Sequence, residues 1–210
     1  MKKSILIFVI SIFIGLSSSF AQTYVDTQKY TTIQTENLFF IDYTIGFPSG
    51  NLADFLDKTS FRGFSMDFRH MMGENYSLGI SAGFQSYYDD MGIQDHLIDN
   101  AILHGSTYHY VYSVPLYITA HYYLSQGDKF TIYGGLGVGT IYNDREVQVG
   151  SISINDKDWH FAMIPELGMM YKVNDYMGAQ IRGTADYGFK SGDADSIIAY
   201  RLHLGFYYNF

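Results

Sequence analysis

Nine ionisable side chains sit among strand-like apolar neighbours: Asp42, Arg62, Asp67, Arg69, Glu166, Lys172, Arg182, Asp186 and Arg201. Their signs nearly balance, and buried charges persist only when paired and hydrogen-bonded, so they predict an interior ion-pair network rather than a reactive centre. His104–Gly105–Ser106 sets an imidazole two residues from a hydroxyl, a spacing that suits acyl transfer. A triad is defined by geometry, no acid partner is evident, and a solvated loop accounts for the motif. His109, His121, His160 and His203 share one strand parity and could ligate a metal as neutral imidazoles. Satisfied interior histidines are the simpler reading, with His70 near one rim. Asp89, Asp90, Asp95, Asp99, Asp193 and Asp195 offer oxygen ligands of the kind that hold Ca²⁺, but without the EF-hand spacing. Gly135, Gly137 and Gly139 alternate as a strand does and leave room for bulky neighbours; a phosphate-binding loop is not the reading. No catalytic residue, cofactor or metal site is assigned.

These positions need elements with a two-residue period. The last segment has Ile198, Tyr200, Leu202, Leu204, Phe206, Tyr208 and Phe210 on one face, and Arg201, His203, Gly205, Tyr207 and Asn209 on the other. One face could meet hydrocarbon while the other needs water or charge partners. Seven further segments repeat the alternation, over 39–47, 63–69, 76–85, 108–124, 130–142, 159–172 and 177–189. The spacing therefore predicts an all-β fold, an eight-stranded antiparallel up-and-down transmembrane β-barrel over 39–210. Short turns at 72–75, 125–128 and 173–175 alternate with longer polar connections at 48–60, 86–107, 143–158 and 190–196. That asymmetry predicts short periplasmic turns and longer external loops. Tyr110, Tyr122 and Tyr200 fall where an aromatic girdle would mark the two interfaces. Eight strands enclose an interior that side chains can fill, which disfavours a diffusion channel.

Lys2 and Lys3, an apolar run from Ile5 to Leu16, and small residues at Ser19 and Ala21 predict a signal peptide over 1–21 and export through the general secretory pathway. Residues 22–38 read as a periplasmic N-terminal segment. The chain has no Cys, which excludes disulfides, thiolate metal sites and a lipidated cysteine. With 20 Tyr, 16 Phe and 21 Gly against 3 Pro, near-neutral hydropathy fits alternating lipid-facing and lumen-facing residues. A net charge of −8 without clustered Lys and Arg argues against nucleic acid.

The terminal Leu204–Phe206–Tyr208–Phe210 alternation, Val114–Pro115–Leu116–Tyr117–Ile118 with Tyr122–Tyr123–Leu124, and the Gly134–Gly139 stretch resemble the small outer-membrane β-barrel superfamily of OmpX-, OmpA- and OmpW-like, porin-like domains. The resemblance covers about 39–210. It implies a Gram-negative outer membrane, contact with its lipids and lipopolysaccharide, and recognition of Phe206, Tyr208 and Phe210 by the barrel-assembly machinery. Such folds do not fix activity. The expected function is non-enzymatic, a structural, adhesive or binding role through external loops. The alternatives are a narrow channel for small solutes and a lipid A-modifying enzyme, the latter from the His-x-Ser spacing that outer-membrane lipid A deacylases share.

Overall fold

A computed structural model describes residues 36–98, 101–126, 129–192 and 194–210. The signal peptide, residues 22–35, Asp99 and Asp193 lie outside the described residues. Eight strands follow in order: β1 (Asn37–Ser49), β2 (Ser60–Met71), β3 (Tyr76–Ile98), β4 (Ala101–Gln126), β5 (Phe130–Val149), β6 (Ile152–Lys172), β7 (Met177–Gly188) and β8 (Ile197–Asn209). A short helix α1 (Asn51–Phe55) lies between β1 and β2. Each strand pairs antiparallel with its sequence neighbour, and β1 pairs with β8 from Leu38↔Asn209 to Ser49↔Ile198, closing the barrel. Phe210 and Asn37 seal that seam through reciprocal backbone hydrogen bonds of 3.0 and 3.1 Å. Closure leaves no edge in the wall, the condition for a sheet whose outer face has no water to bond.

Polarity is inverted relative to a protein folded in water. The outward face carries Ile118, Leu136 and Phe206, exposed by 64%, 58% and 74%, whereas Arg69, Arg182 and Asp186 inside are at most 2% exposed. The alternation is unbroken over β7, where Gln180, Arg182, Thr184 and Asp186 point in and Ile181, Ala185 and Tyr187 point out.

Two of the four expected loops are not loops. Residues 86–107 continue β3 and β4 to Ile98 and Ala101, and 143–158 continue β5 and β6 to Val149 and Ile152, around a Gly150 with φ 57°. The β3–β6 strands have 20 to 26 residues, against 12 or 13 in the other four. At the base of the extension Tyr87, Asp89, Val111 and Asn143 are still buried on the inner face; farther out, over 92–94 of β3 and 152–157 of β6, the side chains are exposed on both faces and the backbone ladder alone continues the strand. At the opposite end the connections are tight, as the sequence predicts. Asn174 Oδ1 accepts the Tyr176 and Met177 amides, each at 2.9 Å, a side-chain-closed turn between β6 and β7.

Apolar clusters fill both ends of the lumen. Leu38, Phe40, Tyr123, Tyr133, Met170 and Tyr207 pack together at the short-turn end. At the hairpin end α1 folds inward, and Leu52 and Leu56 join Tyr87, Val111, Ile197 and Ala199. Phe55 stacks on His109 at 4.4 Å, and the His109 ring nitrogen bonds the Phe55 carbonyl at 2.9 Å.

Candidate functional site

The interior polar side chains converge on two guanidinium groups. Arg182 on β7 meets Asp67 at 2.6 Å, Asp42 at 3.0 Å and Glu166 at 3.1 Å, from β2, β1 and β6. Arg69 on β2 meets Glu166 at 3.1 Å and Asp67 at 3.5 Å, with its guanidinium carbon 4.4 Å from the Phe40 ring centre and 4.5 Å from that of Tyr133. The aromatic faces take the apolar faces of a planar cation while its edges bond carboxylates, a use of Arg that Lys could not replace.

Neutral groups complete the network. Gln180 donates to Asp42 Oδ1 at 2.7 Å and accepts from Tyr133 at 3.0 Å. His121 Nε2 lies 2.8 Å from Glu166, and its Nδ1 lies 3.1 Å from Ser77 Oγ. His203 is held between Ser65 and Thr184, each at 3.0 Å. Ser77 supplies β3, His121 β4, Tyr133 β5 and His203 β8, so the network draws a side chain from every strand. The glycines of β5 make room for it: a Cβ on Gly135 would lie 2.6 Å from His121 and 2.9 Å from Glu166, and one on Gly137 would lie 2.5 Å from Ile164.

Of the nine predicted charges, five meet here: Asp42, Asp67, Arg69, Glu166 and Arg182. Asp186 and Arg201 form a separate buried pair between β7 and β8. Two predicted members do not belong. Arg62 is exposed and lies over the Tyr88 ring at 5.9 Å, because β2 carries an extra residue between Ser60 and Gly63 that breaks the alternation. Lys172 has the inward parity but ends β6 at the rim, where it pairs with Asp175 of the turn at 2.8 Å. His121, Gln180, Ser65 and Tyr133 were not assigned to the network from sequence, although their parity was the available signal.

The inward histidines do not share a centre. His160 bonds the Phe189 carbonyl at 2.9 Å, His109 caps α1, and His121 and His203 serve different partners. His70 bonds Asn37 at 2.8 Å at the rim. The His104–Ser106 segment is strand, with Ser106 in register with Ile93. Tyr122 and Tyr200 are exposed on the outer wall, Tyr122 against Tyr76 at 4.9 Å. Tyr110 instead lies on the β4 extension, opposite Glu146. Phe206, Tyr208 and Phe210 are exposed on the outer seam, with Tyr208 and Phe210 6.0 Å apart.

The closed eight-stranded barrel superposes on known structures. Neisserial surface protein A superposes with a TM-score of 0.53 at 12% identity, covering 83% of this chain and 97% of that one. OprG from Pseudomonas aeruginosa gives 0.52 at 16%, covering 84% and 96%. Ail, the attachment invasion locus protein of Yersinia pestis, crystallised with the heparin analogue sucrose octasulfate, gives 0.51 at 15%, covering 84% and 99%. This chain has the fold of the small outer-membrane β-barrels. No protein-family description and no curated protein sequence matches it. The barrel thus shares an architecture with proteins whose residues it scarcely shares, as expected when alternation rather than particular side chains sets the fold.

Proposed function

We propose that this protein is an integral outer-membrane barrel of a Gram-negative cell, exported by the general secretory pathway and without enzymatic activity. Its rigid wall holds two long external hairpins for structural, adhesive or binding work. One observation carries the reading: the apolar side chains face outward from a closed wall and the charged ones are packed inside it. Water would favour the reverse, whereas hydrocarbon favours this arrangement. The terminal aromatics Phe206, Tyr208 and Phe210 supply the alternation that the barrel-assembly machinery would read. Electrophoresis in detergent tests the proposal, with a compact band expected before boiling and a slower one after it. A mature chain that stays monodisperse in plain buffer overturns it.

The filled lumen supports a scaffold over a solute channel. Arg69 is wedged between Phe40 and Tyr133 at one end, and Leu52 and Leu56 close the other. Planar-bilayer recordings are expected to lack reproducible conductance steps; their appearance would favour transport. A lipid A-modifying role has less support, since Ser106 lies on the hairpin well beyond Val114, away from the apolar wall where acyl esters sit. Lipid A from cells carrying Ser106→Ala is expected to have an unchanged mass spectrum.

A further inference from the structure

Above the barrel the outward face of the β3–β6 sheet changes character. Val114, Tyr142 and Trp159 form a last apolar row across β4, β5 and β6. Beyond it β4 presents Tyr112, Tyr110 and Tyr108 in succession, all half-exposed, and Tyr88 of β3 stands beside them. The rings make a ladder: Tyr110 lies 6.4 Å from Tyr112 at an interplanar angle of 6°, and Tyr88 lies 6.1 Å from Tyr108 at 18° and 5.1 Å from Tyr110. Directly opposite on β5 stand Asp144, Glu146 and Gln148, one polar group per tyrosine. Phe84 stacks on Tyr112 at the foot of the ladder, and higher up, level with Tyr110, the exposed Arg62 reaches over Tyr88.

We propose that this face docks the headgroup of the glycolipids surrounding the barrel, with neutral sugar rings lying along the tyrosines. Aromatic rings meet the C–H faces of hexoses, and carboxylates and amides alongside take the hydroxyl groups. The apolar wall for acyl chains lies below, and above it the rings and hydrogen-bonding groups for sugars stand with a cation at Arg62 alongside them for a headgroup phosphate. Asp144 is paired with Lys157 at 3.5 Å, and Glu146, opposite Tyr110, discriminates against an anionic glycan on the ladder itself, since like charges brought together repel. Tyr108 to Tyr112 spans roughly 14 Å of strand, room for more than one ring. The inference rests on the membrane reading above, because only a barrel in the outer leaflet holds this face at headgroup height.

The test uses the full barrel in a detergent without a sugar headgroup. It compares capture on lipopolysaccharide carrying a complete core with capture on a truncated form lacking the neutral hexoses, beside an array of free neutral and sulfated oligosaccharides. Complete-core lipopolysaccharide is expected to retain the protein at least tenfold better than the truncated form. Tyr108→Ser/Tyr110→Ser is expected to abolish that difference while keeping the boiling-dependent band shift, which separates failure of the docking face from failure of the membrane reading. Equal capture on both forms, an unchanged double variant, or retention only by free or sulfated oligosaccharides would overturn the proposal.

Discussion

Arg182 and Lys172 share a strand parity yet differ in what their removal should do. Arg182 is buried among three carboxylates from three strands, and breaking a buried pair costs roughly 3–5 kcal/mol because the partner charge is left uncompensated. Arg182→Ala is therefore expected to lower unfolding stability by about that amount in urea titrations on lipid vesicles. Lys172→Ala, which frees only a solvated partner in a turn, is expected to leave the curve unchanged. A similar contrast governs the loop that carries α1. Partial burial pushes the Asp89 carboxyl up, but the Lys58 ammonium at 2.7 Å and the Asp57 amide at 3.2 Å outweigh it and hold Asp89 below its ordinary value. A depressed carboxylate stabilises the folded contact above its unfolded pKa, and the contribution is lost as pH falls through the folded one. Hydrogen exchange over 50–59, corrected for its intrinsic pH dependence, is expected to accelerate below about pH 4. Asp89→Asn should show the faster opening already at pH 7, with no further response to acid.

Among the elements, β5 shows how a strand's small residues position a network made by others. Gly135 faces the lumen where His121 and Glu166 approach, and overpacking of such a site costs typically about 1–3 kcal/mol. Gly135→Ala is expected to lower stability by roughly that much. Gly183, on the outward face of β7, has open space around the position of a Cβ, and Gly183→Ala should stay within about 0.5 kcal/mol of the parent. The same denaturant titration measures both, and equal costs would mean the glycines act through backbone freedom rather than through lumen space. The β3–β4 hairpin illustrates the complementary case of strand pairing carried on beyond the lumen network. Asp89 and His109 near its base hold the α1 segment, whereas from Ile93 to Gly105 the ladder pairs run only within the hairpin, so the barrel wall does not depend on that stretch.

For the whole molecule, stability and presentation are separable. The wall, its seam and the lumen network form one closed unit, while the hairpins extend from four of its strands. Replacing 92–105 by a two-residue turn is expected to leave the boiling-dependent band shift and the unfolding midpoint within error of the parent. A chain that no longer inserts would show that the hairpin takes part in closure. The division suits a protein that meets a varied exterior from a fixed scaffold, since external residues can change without disturbing the pairs inside.

The two-residue alternation was enough to read the strand number, the antiparallel order, closure and inverted polarity, because side-chain direction in a strand is a local property of the backbone and the solvent on each face selects the residue type. Asp42, Asp67 and Arg182 could be placed inward on that basis. Which charges meet was beyond it: an extra residue in β2 turned Arg62 outward, the end of β6 carried Lys172 to the rim, and only the stagger of the closed wall brought Arg182 level with Asp42 and Glu166. The alternation reached Tyr108 on β4, but the rest of the extension, 86–107 and 143–158, was hidden, since its outer part, over 92–94 and 152–157, is exposed on both faces and has no period to read. Register, curvature and termination are set by pairs distant in sequence, so the tertiary structure alone decided the network, the inward fold of α1 and the place of Tyr88 beside the β4 tyrosines.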